Sequence, residues 1–198
     1  KTRGDWMTHP GRAIQRQAAR RCSPQRPASD LSTWREVGQG DFVVIDRPGI
    51  WLTATLGSCV GIFLHDSAGR QGGMTHIFHC VDPGPMGGGA IVAEIEMLVN
   101  VLMRQGARRA GLVARIAGGA HTLTRGKDVG GQIAEVCLDY LMAEAIPLVQ
   151  ADLRGVRARR VVYDPTTGDL QISYPDSNLP PHRDHPSGLH DQTEELFR

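Results

Sequence analysis

The chain has 198 residues, with 22 basic and 21 acidic side chains and a formal net charge of +1. That length suits one domain able to bury a core without disulfide or metal support, and the charge balance argues against a general binder of nucleic acid or anionic membranes. No apolar run approaches the roughly 20 residues of a membrane span, and the N-terminus lacks the charged-then-apolar order of a signal peptide, so the expectation is a cytoplasmic protein with no membrane insertion.

Residues 1–33 are rich in Arg, Pro, Gln and Ser and poor in large apolar side chains, the composition of a flexible arm. Arg12, Arg16, Arg20 and Arg21 make it locally basic; the chain opens on Lys1, and Met7 is a candidate start. Strand-like runs follow at Phe42 to Ile45, Trp51 to Thr55, Cys59 to His65 and Met74 to Phe78, then at Leu112 to Ala117, Leu148 to Leu153, Val161 to Tyr163 and Leu170 to Ser173. Asp46-Arg47-Pro48-Gly49, Asp66-Ser67-Ala68-Gly69 and Asp164-Pro165-Thr166-Thr167-Gly168-Asp169 supply turn chemistry between them, so several neighbours should pair antiparallel.

Two segments carry helical periodicity instead. Ile91, Ile95, Leu98, Val99 and Leu102 recur at three and four, with Gly106 as the stop; Ile133, Val136, Cys137, Tyr140 and Leu141 form a second stripe ahead of Pro147. Strands, helix, strand, helix, strands is the order of a mixed α/β or α+β domain rather than a regular doubly wound fold. From Pro175 to Arg198 the prolines and His182, His185 and His190 predict a disordered His/Pro-rich tail. The domain proper is therefore expected over 34–174.

None of the four cysteines, Cys22, Cys59, Cys80 and Cys137, falls in a Cys-x-x-Cys pair or a tight disulfide framework, which fits a reducing compartment. Cys59 follows Gly57-Ser58, a small flexible dipeptide that permits a tight turn and leaves its backbone N–H groups free for an oxyanion. His76, after Gly72-Gly73-Met74-Thr75, is the natural base for that thiol, and Thr53, six positions before Cys59, is a candidate orienter of the imidazole. A buried structural cysteine and a hydrogen-bonded core histidine are the plain alternatives.

A metal site built from Cys59, His76, His79 and Cys80 competes for the same histidine, but His76 and His79 have odd spacing and would face opposite sides of a strand. Gly87-Gly88-Gly89 lacks the Lys-Ser/Thr of a phosphate loop and reads as a flexible loop near the site. Gly118-Gly119-Ala120-His121 reads as a tight turn bordering the cleft, with His121 either a supporting or a solvated residue.

Thr53-Ala54-Thr55-Leu56-Gly57-Ser58-Cys59-Val60 followed by Gly72-Gly73-Met74-Thr75-His76 closely resembles the CheD family of bacterial chemoreceptor glutamine deamidases. The resemblance runs on through Leu102-Met103-Arg104-Gln105-Gly106-Ala107, Ile116-Ala117-Gly118-Gly119-Ala120, Ile146-Pro147-Leu148-Val149 and Arg159-Arg160-Val161 to the Asp164-Pro165-Thr166-Thr167-Gly168 turn, about residues 36 to 174. It implies a layered α/β domain with a β-sandwich-like core of mainly antiparallel strands flanked by helices, similar to the cytotoxic necrotizing factor catalytic domain. It also implies Cys59 as nucleophile, His76 as base and Thr53 as orienting hydroxyl, with Gly57, Ser58 and Gly73 around the oxyanion and no cofactor or metal. The implied substrates are glutamines on chemoreceptor cytoplasmic helices, with a CheC-type phosphatase as a further partner; a non-catalytic adaptor that binds the same partners is the competing reading. Val81 to Gly89 departs from the family loop, which carries a Tyr or Phe before the helix, and Arg154-Gly155-Val156-Arg157-Ala158 replaces a more glycine-rich turn.

Overall fold

A computed structural model describes residues 33–66, 68–79, 87–122 and 126–175. The basic arm before Thr33, the tail beyond Pro175, and Cys22 and Cys80 lie outside the described residues.

Nine strands and two helices are present among the described residues: β1 Thr33–Glu36, β2 Phe42–Ile45, β3 Ile50–Leu56, β4 Val60–Asp66, β5 Gln71–Ile77, α1 Gly89–Arg104, β6 Leu112–Gly118, α2 Val129–Ala143, β7 Leu148–Leu153, β8 Arg159–Tyr163 and β9 Leu170–Ser173. The expected mixed α/β class is found. The strands form two sheets, ordered β1-β3-β8-β9 and β2-β5-β4-β6-β7. Pairing is antiparallel except for β1 with β3 and β6 with β7.

Each strand's alternation decides which layer it serves. Leu52, Ala54 and Leu56 of β3 and Val161 and Tyr163 of β8 meet Phe63 and Met74 of the second sheet in one apolar cluster between the sheets. Tyr163 fastens the layers: its ring sits edge-on to Phe63 at 5.1 Å, and its hydroxyl donates to the Leu64 carbonyl at 2.7 Å. The other face of the second sheet carries Val60, Ile62, Leu64 and Ile77 against the helices. Every residue of β4 is buried because both its faces and both its edges are covered, which is why its sequence runs almost continuously apolar.

Helix α1 lays Ile91, Ile95, Leu98, Val99 and Leu102 on that face, and Gly106, at φ +98°, follows its end as expected. Glu94 lies in the same buried stripe. Of the glycine run, Gly87 and Gly88 form a turn and Gly89 opens α1; a Cβ on Gly88 would lie 2.7 Å from the Val136 side chain of α2, so this glycine lets the turn pack against that helix. Helix α2 starts where the Asp128 carboxylate accepts from the Gly131 N–H at 2.9 Å.

Gly73 is corrected. A Cβ there would lie 2.7 Å from both Leu98 Cδ1 and the Val43 carbonyl, so this glycine lets α1 and β2 close on β5. It faces the helix layer, on the opposite side of β5 from His76, rather than the neighbourhood of Cys59 where it was expected.

Candidate active site

Cys59 stands immediately before β4, and the register sets Gly61 opposite His76 on β5. Cys59 lies two residues from Gly61 and therefore on the same face, diagonal to His76, a relation that puts Cα atoms about 7–8 Å apart. Both side chains belong to the inter-sheet layer, where Cys59 packs with Phe63 and Met74. His79 stands on the other side of the strand and pairs through Nε2 with Glu94 at 3.2 Å. The odd offset therefore separates the two histidines as the spacing predicts, and Cys80 of the metal reading lies outside the described residues.

The backbone around Cys59 is clamped by the Gly118-Gly119-Ala120 turn. Gly119 N–H donates to the Cys59 carbonyl at 2.7 Å, and Ala120 N–H donates to the Gly57 carbonyl at 2.8 Å. Gly118 has to be glycine: its φ is +115°, and a Cβ would lie 2.1 Å from the Cys59 carbonyl oxygen. Arg159, itself buried, holds this turn from β8 by donating to the Gly118 carbonyl at 3.2 Å and the Arg154 carbonyl at 2.6 Å, while pairing with Asp152 at 3.1 Å. Gly57 and Ser58 are half-buried beside the thiol, and Thr122 packs over Gly57. His121 Nδ1 lies 3.6 Å from Asp128 on the loop beyond the turn.

His76 is 4% exposed, and its main chain is fixed by Gly40 N–H at 2.8 Å and the Asp41 carbonyl at 3.0 Å. Its Nδ1 lies 2.9 Å from the Val37 carbonyl, an acceptor only, which assigns the proton to Nδ1. Nε2 is buried and has no hydrogen-bond partner among the described residues. A satisfied core histidine would not leave it so. Burial pushes the Cys59 thiol up, against its own backbone N–H, which lowers it. Burial therefore favours the protonated thiol in the resting protein.

Thr53 enters differently from expectation. Its hydroxyl donates to the Val161 carbonyl at 3.0 Å, and its side chain alternates away from the Leu52-Ala54-Leu56 face that meets the second sheet. Its link to His76 is through the main chain: the Val37 N–H donates to the Thr53 carbonyl at 2.9 Å, and the Val37 carbonyl receives His76. Val37, which receives the imidazole, and Glu94, which receives Thr75 behind β5, are neighbours of His76 that the sequence reading does not single out. A carbonyl has no side-chain signature, but an acid within the apolar stripe of α1 is a readable one.

Residues 92–174 match the family model described as CheD chemotactic sensory transduction. A protein of Rhizobium rhizogenes named "Probable chemoreceptor glutamine deamidase CheD" is 38% identical over 135 residues, covering 66% of this chain and 73% of that one. Proteins of the same name from Jannaschia sp. and Moorella thermoacetica are 36% and 38% identical, covering 72% and 69% of this chain and 82% and 88% of theirs. Among solved structures, YlmD from Geobacillus stearothermophilus is similar at a TM-score of 0.40 and 16% identity, over 58% of this chain and 50% of that one.

Proposed function

The chain belongs to the CheD family, and from that membership we propose that it is a chemoreceptor glutamine deamidase whose nucleophile is Cys59 and whose base is His76. The observation that carries the residue assignment is the unpartnered Nε2 of a buried imidazole on the same sheet face as the thiol. As the Cys59 sulfur attacks the glutamine carboxamide carbon, its proton passes to Nε2, which the Nδ1–Val37 bond has kept free to accept. Backbone N–H groups of the Gly57-Ser58-Cys59 segment hold the developing oxyanion. The imidazolium then gives its proton to the departing ammonia and leaves a thioester; water attacks it with His76 again as base and releases glutamate and the thiol.

Thr53 is a positioning residue in this scheme, because it holds Val37 and so the imidazole. The chemistry requires no metal or organic cofactor. Chemoreceptor cytoplasmic helices as substrate, a CheC-type phosphatase as second partner and a cytoplasmic setting belong to the same proposal, as does a kinship of the two-sheet core with the cytotoxic necrotizing factor catalytic domain. Among the described residues no helix is long and apolar enough to cross a membrane.

The test is mass spectrometry of a receptor cytoplasmic fragment incubated with the protein or with Cys59→Ala. Each converted glutamine gains about one dalton by exchange of NH₂ for OH. Gain with the native protein alone supports the assignment. Equal masses in both samples overturn it in favour of the adaptor.

A further inference from the structure

Helix α1 buries an acid where its stripe calls for an apolar residue. Glu94 is 4% exposed and directs its carboxylate at β5. Thr75, next in sequence to His76, donates its hydroxyl to Oε1, and His79 lies 3.2 Å from Oε2. Because residues alternate along a strand, Glu94 sits behind β5 and His76 in front of it, one residue of backbone apart. The titratable and polar groups that face the carboxylate are Thr75 and His76 from β5, His79 from the segment after it and Cys137 from α2. A buried acid in an otherwise apolar stripe is costly to stability, and packing gives no reason to keep it.

We propose that Glu94 is a positioning residue for the deamidation reaction: its negative charge, anchored by Thr75 behind β5, stabilises the imidazolium that forms at His76 when Nε2 takes the Cys59 proton. The inference rests on the proposed roles of Cys59 and His76. Glu94 carries its charge on the helix side of β5, directly behind the strand that bears the imidazole, whereas Cys59 precedes the neighbouring strand β4; a carboxylate so placed favours the cation of a thiolate–imidazolium pair. The proton transferred moves only from Sγ to Nε2.

The test reads alkylation of Cys59 by iodoacetamide in the full chain, followed by mass spectrometry of the Cys59 peptide, in the native protein, Glu94→Gln and Glu94→Met. Near neutral pH the rate reports the thiolate–imidazolium pair; at strongly alkaline pH it reports the bare thiolate. The neutral rate is expected to fall on the order of tenfold in both variants, from Coulomb attraction across a strand, while the alkaline rate stays within about twofold. Glutamine retains the side-chain shape and Thr75's acceptor, so it isolates the charge even if methionine perturbs the fold. A folded Glu94→Gln protein with the native neutral rate, or with both rates changed alike, overturns the proposal. Because the readout needs no receptor, a failed deamidation assay and a failed Glu94 inference give different results.

Discussion

His76 Nδ1 donates to the main-chain carbonyl of Val37 at 2.9 Å, and the Val37 N–H donates in turn to the Thr53 carbonyl at 2.9 Å. The imidazole is therefore oriented by backbone, in a relay that no Thr53 side-chain substitution removes. Thr53→Val should lower stability by about 1–2 kcal/mol through loss of the hydroxyl bond to Val161. It should cost less than about tenfold in kcat/KM. A hydroxyl acting on the imidazole itself would cost on the order of 100-fold or more, so steady-state deamidation by this variant separates the two roles.

Gly118→Ala tests the clamp on the nucleophile. The added Cβ would meet the Cys59 carbonyl at 2.1 Å in a backbone region, φ +115°, that alanine strongly disfavours. We expect a loss of more than about 2 kcal/mol in denaturant unfolding and, in the protein that remains folded, a kcat far below native. Gly57→Ala is the control for the unfolding measurement: among the described residues its Cβ would meet Thr122 alone, at an ordinary 3.5 Å. Equal effects at the two positions would contradict the clamp.

Arg159 is expected to be the most sensitive polar residue of β8. Its buried guanidinium joins Asp152, Gly118 and Arg154, and its removal takes the cation from a partly buried carboxylate that keeps only the Tyr174 hydroxyl, while the Gly118 carbonyl keeps the Arg154 N–H at 2.9 Å. Arg159→Met should cost about 3–5 kcal/mol. Adding Asp152→Asn to it should cost less than the sum of the two single changes, because the stranded carboxylate is already neutralised. Strict additivity in urea unfolding would show that the pair is not coupled.

The sequence reveals side chains better than it reveals main chain. Cys59 and His76 stand out as candidates because a thiol, an imidazole and neighbouring glycines are residue types with chemistry, and the family resemblance supplies the roles proposed for them. Val37 does not, since it contributes only a carbonyl. The strand that presents it, Thr33–Glu36, was missed because it pairs along β3 at a sheet edge and buries little, so no alternation marks it. Gly73, expected near the oxyanion from the resemblance, instead lets Leu98 and the Val43 carbonyl approach β5, a distinction that a glycine's lack of a side chain does not announce. The helices were legible from periodicity and the mixed α/β class from their order with the strands, whereas a sandwich-like core was implied only by the family resemblance. Which strands shared a sheet was not legible, because β3 and β4, consecutive in sequence, belong to different layers.

Glu94 leads to a pH-dependent stability that can be measured without substrate. Burial raises its carboxyl above the ordinary 4.5, against the lowering effects of Thr75, His79 and His76. Between the unfolded value and the raised folded one, the native state holds more protons than the unfolded chain, so this group's contribution to stability falls as pH rises through that window. Below the ordinary value the penalty vanishes, and above the folded value it is complete. Glu94→Gln cannot titrate and escapes the penalty. The stability of the variant relative to native should therefore increase from about pH 4 to about pH 8 in urea unfolding, with the increase confined to the interval above the ordinary value. Glu94→Met, which also completes the apolar stripe of Ile91, Ile95 and Leu98, should show the same trend. A stability difference flat across that range would mean that the carboxyl titrates alike in the folded and unfolded chain, and that its burial costs nothing.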